Sequence, residues 1–258
     1  MSAVAERMDE EKEGAVARFR RAVADDLVLL AVLHDRELDR DRILALWEDC
    51  YEDFLALRLR SERGREALSL FRQGLTDIPT ALGDQTLDVL AAEYADIYLN
   101  NTFGVSPCES VWLDEDHLTM QEPMFQVRAW YQRFGLEVED WRKRTDDHLV
   151  NELQFVAYLL HAANGHEGLP DACRFIDEHL SRWVGDFAER VGGRARTRFY
   201  AGLAELTAAY LEELREVLAE VAGMPVPSPE EIIERMRPKQ STVVDPPGPY
   251  VPGATPSW

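Results

Sequence analysis

The chain is poor in cysteine, and its three cysteines, Cys50, Cys108 and Cys173, are dispersed with no C-x-x-C pair. An odd set of this kind gives neither a disulfide framework nor a thiolate metal site, and it fits a reducing compartment. Long apolar runs are also missing: the longest, 27–33, has seven residues, whereas a membrane span needs about 20. The acidic N-terminus has no apolar stretch like that of a signal peptide. We therefore expect a cytoplasmic protein that is not exported and has no integral membrane segment.

Positive charge is scarce. The chain has 28 Lys and Arg against 48 Asp and Glu, which gives a formal net charge of −20. Such a chain repels phosphate backbones and anionic lipid head groups, so nucleic acid and membrane surfaces are poor candidates for partners. A basic peptide is a good candidate.

Motifs for nucleotide binding and hydrolysis are absent. The sequence has no G-x-x-x-x-G-K-[ST], no G-x-G-x-x-G after a strand, no G-x-S-x-G and no H-E-x-x-H. Two rival sets of polar residues remain: His148, Glu152 and His161 as acid/base groups or ligands of a helical enzyme, and His161, His166 and Glu167 as a metal site. The second set spans a helix break at Asn164-Gly165, which disfavours a shared metal. We expect no enzyme activity, no cofactor and no metal.

Apolar residues recur at helical spacing in every long segment, and alternate as in strands in none. This pattern predicts an all-α, single-domain bundle of about eight to ten helices over residues 14–222, preceded by a flexible acidic N-terminus, 1–13. The third helix is expected to end at Gly74, where glycine can adopt the left-handed conformation of a cap. Nine of the thirteen prolines follow Gly223. The region 223–258 is therefore expected to be a Pro-rich tail, with one short helix, Glu230–Met236, after the capping box Ser228-Pro-Glu-Glu231.

The stretch from Thr145 to Phe155 predicts a helix, from about 146 to 163, with two distinct faces. Thr145 can cap its first turn, and a leucine stripe forms its buried face. His148 and Glu152 fall on a second face, which indicates either a chemical role or a satisfied buried histidine. An exposed Asp147 at the helix N-terminus could accept hydrogen bonds from a guanidinium group.

The loop 106–112 carries a second group of candidate residues, namely Pro107, Ser110 and Trp112. Its apolar side chains have two possible roles. They either plug the bundle or, if exposed, form an apolar groove wall beside the acidic Asp147. A groove with one charged end and one apolar flank would suit a peptide that has a basic segment followed by an apolar one.

Three ordered segments resemble a known family. Asp146-Asp-His-Leu-x-x-Glu-Leu-x-Phe155 is similar to the signature of the TorD/DmsD/NarJ-type chaperones, Ser106-Pro-Cys-Glu-Ser-Val-Trp112 resembles a second recurrent loop of that family, and Gln121-Glu-Pro123 follows it. The resemblance implies an all-helical chaperone that binds the twin-arginine leader and the apo form of a molybdopterin-containing oxidoreductase subunit, aids cofactor insertion and prevents premature export. It further implies that Asp147 and His148 bind the leader peptide, and we expect Glu152, Pro107, Ser110 and Trp112 to form the binding site with them.

Other functions stay open at this stage. A NarJ-like assembly factor for a non-exported molybdoenzyme would have the same sequence features, and the helical enzyme described above is a further alternative. An enzyme predicts a closed pocket with converging polar groups, whereas a chaperone predicts an open groove.

Overall fold

The computed structural model describes residues 2–49, 54–100, 102, 104–161 and 168–237. In chain order the α-helices are α1 Ser2–Asp35, α2 Arg40–Asp49, α3 Glu62–Asp77, α4 Asp84–Tyr94, α5 Ser110–Leu113, α6 Glu122–Arg133, α7 Leu149–His161, α8 Gly168–Glu178, α9 Val184–Gly192, α10 Arg198–Ala222 and α11 Pro229–Met236. A π-helical turn, Ala95–Leu99, continues α4, and a 3-10 turn, Leu180–Arg182, precedes α9. These ranges contain no β-strand, only an isolated antiparallel bridge between Cys108 and His148. The predicted all-α class is confirmed.

Helix α10 lies in the centre of the core. Helices α3 and α9 pack along it, α8 contacts it, and α1 packs against α7. The largest fully buried side chains come mainly from these helices and include Leu27, Leu30, Phe71, Phe175, Phe187, Phe199, Tyr200 and Tyr210. Their burial provides the main stabilisation of the fold, about 1.5–3 kcal/mol for each large apolar side chain.

The crossing of α3 and α10 depends on two glycines. A Cβ atom on Gly202 would lie 2.5 Å from the Cα of Phe71, and one on Gly74 would lie 2.6 Å from the Cα of Phe199. The two backbones therefore approach more closely than any larger residue would allow. This corrects the predicted end of the third helix, because Gly74 lies inside α3, which continues to Asp77.

Buried carboxylates on helices hold the segments between them. Asp26 accepts hydrogen bonds from the backbone N–H groups of Ala56 and Leu57, each at 2.9 Å. Glu213 accepts from Ser61 N–H at 3.0 Å, and Glu93 from Thr197 N–H at 3.0 Å. Non-helical backbone is thus satisfied by side chains, as buried polar groups require.

The ends of the helical region differ in part from the prediction. Helix α1 begins at Ser2, not at about 14, because the strong helix formers Ala, Glu, Met and Lys that fill residues 3–13 continue it.

The chain divides into two compact units, Met1–Val226 and Pro227–Trp258. In the second unit, α11 and the capping box between Ser228 and Glu231 confirm the predicted short helix. The remaining predicted tail, 238–258, lies outside the described residues, and none of the helices described is both long and apolar enough to cross a bilayer.

Candidate functional site

The two motif segments lie side by side and are joined by backbone hydrogen bonds. Glu109 N–H donates to the carbonyl of Asp147 at 2.9 Å, and Leu149 N–H donates to the carbonyl of Pro107 at 2.7 Å. These two bonds form the antiparallel bridge between Cys108 and His148. The structure therefore brings together the two segments that the sequence singled out 37 residues apart.

This pairing changes the start of the signature helix. Residues 145–148 run alongside the loop 106–110, and α7 begins only at Leu149. Thr145 is not the N-cap: its carbonyl accepts from His148 N–H at 3.2 Å, and its hydroxyl donates to Cys108 Sγ at 3.4 Å. Burial raises the pKa of the Cys108 thiol to about 12, and the nearby Asp147 charge adds to this effect. Cys108 is thus a packing residue and not a nucleophile.

Asp147 is fully buried, so the expectation that it is exposed is wrong. Its Oδ2 atom accepts hydrogen bonds from the N–H of Ser110 at 2.8 Å and from the Ser110 hydroxyl at 2.5 Å. The Asp147 carboxylate can be buried because its Oδ2 atom faces two hydrogen-bond donors. These donors replace the contacts that the carboxylate would make with water. Asp147 and Ser110 therefore fix the loop 106–112 to residues 145–149.

Asp146, the other aspartate of the motif, does contact a guanidinium group. Its Oδ2 atom lies 2.8 Å from Nη2 of Arg128 on α6, and its carbonyl accepts from the Tyr131 hydroxyl at 3.0 Å. The chemistry that the sequence predicted for this helix terminus is present, but at the neighbouring residue and with an arginine of the chain itself.

His148 is almost fully buried and lies where the two motif segments are joined. Its Nδ1 atom accepts a hydrogen bond from the N–H of Val150 at 3.2 Å, which places the ring proton on Nε2. Burial lowers the pKa of His148 to about 3, and the positive charge of Arg144 adds to the shift. The ring is therefore neutral at physiological pH.

Glu152 belongs to a buried polar cluster beneath the motif. Its Oε2 atom accepts from the indole N–H of Trp183 at 3.3 Å. Burial raises the pKa of Glu152 well above its ordinary value, and Glu109 and Asp147 raise it further. Glu109 in turn contacts Nδ1 of His179 at 2.9 Å. The raised pKa of Glu152 favours its neutral form, and this limits the number of uncompensated charges in the cluster.

The remaining predicted site residues face inward to different degrees. Pro107 and Ser110 are buried, whereas Trp112 is half-buried. The Trp112 ring stacks on Trp183, with centroids 6.5 Å apart, and the guanidinium of Arg190 lies 4.5 Å from its centre. Of the two roles open to this loop, Trp112 plugs the bundle, whereas Pro107 lines a surface pocket.

A surface pocket of about 310 Å³ adjoins the joined segments. Pro107, Cys108, Thr145 and His148 form one side of it, and its lining also includes Leu99 and Met120, which are 69% and 38% exposed. Three basic residues, Arg142 to Arg144, line its edge. Two of them are paired, Lys143 with Asp140 at 2.8 Å and Arg144 with Asp35 at 2.5 Å.

The set of residues that would suit an enzyme, His148, Glu152 and His161, is not assembled. His148 precedes α7 and His161 ends it, so about 18 Å of helix separates them. His166 and Glu167, from the other set, lie outside the described residues. Among the residues that the structure does describe, no cluster of His, Cys, Asp or Glu could hold a metal ion.

Sequence reasoning missed Glu109, His179 and Arg128. Glu109 lies inside the second motif, and His179 lies in a segment, His179-Leu-x-x-Trp183, that itself resembles the family. Both signals were therefore available. No local pattern indicates that Arg128 reaches Asp146, because the two residues are 18 positions apart on different elements.

Comparison with known proteins supports the family that these segments indicate. The family model described as nitrate reductase delta subunit matches residues 61–189, half of the chain. The matched range contains both motif segments and His179.

Several proteins called chaperone protein TorD are similar to the chain. The one from Vibrio cholerae serotype O1 strain O395 is 30% identical over 140 residues, which cover 51% of this chain and 63% of that protein. The one from Shewanella pealeana is 28% identical over 199 residues, 74% of this chain and 86% of that protein. The one from Shewanella oneidensis is 26% identical over 206 residues, 77% of this chain and 91% of that protein. The chain belongs to the family that includes the nitrate reductase delta subunits and the TorD-type maturation chaperones.

Proposed function

We propose that this protein is a cytoplasmic maturation chaperone that binds the twin-arginine leader and the apo form of a molybdopterin-containing oxidoreductase subunit. In this proposal it retains the subunit until its cofactor is inserted and so prevents premature export. The chaperone itself requires no cofactor and catalyses no reaction.

One structural observation carries the proposal: the two motif segments are joined into the wall of a surface pocket. Asp147, Ser110 and Glu152 hold this wall from inside through buried polar contacts. Pro107 and His148 line the pocket, and Trp112 holds the loop against α9. Two of the six candidate residues therefore line the pocket, and the other four support its wall.

The apolar side chains beside the pocket suit one part of a leader and the acidity of the chain suits the other, whereas the basic residues 142–144 in the pocket lining do not. Leu99, Leu118 and Met120 expose apolar side chains, which suits the leader's apolar segment. Asp114, Glu115 and Asp116 form an acidic run in the loop that follows α5, and the chain as a whole carries −20. Acidic side chains favour a basic segment, while apolar burial adds about 25 cal/mol per Å².

A peptide titration tests the proposal. A synthetic twin-arginine leader should bind, as measured by isothermal titration, and its twin-lysine variant should bind at least about tenfold more weakly, roughly 1.4 kcal/mol. Affinity should fall only modestly with salt, since apolar burial is not screened. Equal binding of both peptides, or a collapse of affinity in salt, would mean nonspecific attraction to an acidic surface, and leader binding would have to be abandoned.

A NarJ-like role is the second candidate, and the family description, nitrate reductase delta subunit, favours it. Such a factor would assemble a molybdoenzyme that is not exported. The two candidates differ in what the client's leader contributes. Removal of the leader from the client subunit should weaken capture by an export chaperone, which also uses the leader, whereas an assembly factor should bind the remaining apo subunit as well as before.

A further inference from the structure

Arg128 fills a site whose parts all suit a guanidinium group. Its Nη2 and Nε atoms lie 2.8 Å and 3.3 Å from Oδ2 of Asp146. Its Cζ atom lies 4.8 Å from the ring centre of Trp141 and 5.5 Å from that of Phe125. A carboxylate with two N–H contacts and two flanking aromatic rings attracts a planar cation through charge-assisted hydrogen bonds and cation–π contacts.

The carboxylate of Asp146 is buried in the protein, whereas the guanidinium group of Arg128 partly reaches solvent. The side chain of Asp146 is 3% exposed and that of Arg128 is 26% exposed. Asp146 is also held through its backbone, because its carbonyl accepts from the Tyr131 hydroxyl. If Arg128 left, Asp146 would remain in place as a buried charge without compensation, which is strongly unfavourable. The site therefore requires a cation, and a planar one satisfies it best.

We infer that Asp146, Trp141 and Phe125 form a binding site for an arginine side chain of a bound polypeptide, and that Arg128 occupies this site until that arginine displaces it. The contacts of Arg128 with Asp146, Trp141 and Phe125 support the site itself. That the incoming arginine belongs to a leader peptide rests on the proposed function.

Occupation by Arg128 makes the site selective. A tethered side chain competes at a high effective concentration, so an isolated arginine displaces it poorly. A polypeptide that gains additional apolar contacts nearby, for example with the exposed Phe125, can offset this competition. Free arginine and short basic peptides would then be excluded, although the chain is strongly acidic.

Arg133 provides a matched control on the same helix. Its Nη2 atom lies 3.1 Å from Asp171, and its Cζ atom lies 5.2 Å from Trp130 and 5.3 Å from Phe134. The pair is more exposed, at 55% for Arg133 and 14% for Asp171, so solvent screens it more strongly. Arg133→Gln removes the same charge from α6 as Arg128→Gln does, but it leaves the site at Asp146 filled.

The first experiment tests the site without a leader. Millimolar L-argininamide should raise the melting temperature of the Arg128→Gln variant, while L-lysinamide should not. The wild type, Arg133→Gln and Arg128→Gln/Asp146→Asn should show no selective response. If Arg128→Gln does not fold, Arg128→Lys takes its place: its ammonium group makes weaker contacts with Asp146 and the two rings than a guanidinium does, so a smaller but still arginine-selective rise is expected. Equal responses to both amides, or equal responses of the Arg128 and Arg133 variants, would overturn the site.

The second experiment titrates a twin-arginine leader peptide into the wild type and the two single variants. Arg128→Gln should bind about tenfold more tightly than the wild type, and Arg133→Gln should stay within about threefold of it. Leader binding that is equal in all three chains, together with no argininamide effect, would refute the inference and leave the proposed function intact. An argininamide effect without any leader binding would leave the guanidinium site intact and refute the proposed function.

Discussion

Ser110 and Asp147 form the contact on which the joined motif segments depend. Ser110→Ala removes the hydroxyl that donates to Oδ2 of Asp147 at 2.5 Å. Because the carboxylate is buried and charged, we expect the free energy of unfolding to fall by about 1–3 kcal/mol. Denaturant unfolding measures this change. Ser69→Ala, at an exposed serine, should stay within about 0.5 kcal/mol of the wild type, and a Ser110→Ala variant as stable as this control would contradict the account.

The second prediction at this scale concerns His148 and pH. Its folded pKa is about 3, compared with 6.5 for an ordinary histidine. Between these values the unfolded chain binds a proton that the folded chain does not, so stability falls as the pH drops from 6.5 towards 3. His148→Gln removes this contribution, so its stability should fall less steeply, by about 1 kcal/mol per pH unit. Urea unfolding across this range measures the slope, and a His148→Gln slope equal to that of the wild type would contradict a buried, neutral His148.

The two aspartates show how far sequence alone could go at the level of single residues. The residue types and the family resemblance identified a carboxylate suited to a guanidinium and the pair of segments that carry it. They did not show which aspartate would contact a guanidinium group, because Asp147 is instead held by hydrogen bonds from Ser110, 37 positions away. Side-chain burial at a helix start is decided by such distant contacts and not by local propensity.

At the scale of helices, the close crossing of α3 and α10 makes the clearest prediction. Gly202→Ala would place a Cβ atom 2.5 Å from the Cα of Phe71, which forces the two helices apart. We expect a loss of about 1–3 kcal/mol in the free energy of unfolding. In Gly185→Ala, within α9, the new Cβ meets no atom within 4 Å, so this variant should be as stable as the wild type or more stable by up to about 1 kcal/mol. Equal stability of the two variants would show that the crossing is looser than described.

The helices themselves were largely predictable, whereas some of their ends were not. Apolar residues at helical spacing identified the segments now seen as α1, α4, α6 and α10. Gly74 was wrongly taken as a helix end, since a glycine that terminates a helix and one that allows close packing look alike in sequence. The start of α7 was placed too early, because pairing with residues 107–109 keeps residues 145–148 out of the helix.

At the scale of the whole molecule, composition and charge narrowed the possible functions more than any single motif did. The excess of acidic residues and the lack of nucleotide-binding or catalytic motifs left a peptide as the best candidate for a partner. Composition could not place the binding surface, because the pocket beside His148 is formed by segments from 94 to 148 that meet only in the folded chain. The family model covers the same region.

The central claim is that the joined motif segments form the leader-binding surface, and hydrogen–deuterium exchange of the whole chain tests it most directly. With a saturating twin-arginine leader, we expect slower exchange in 105–121 and 141–149, because a bound peptide restricts opening of these segments, which are mostly outside long helices. The twin-lysine peptide at the same concentration should have little effect. Slower exchange confined to other parts of the chain, such as α2 and α3, in a sample shown by titration to be saturated with leader, would contradict the claim.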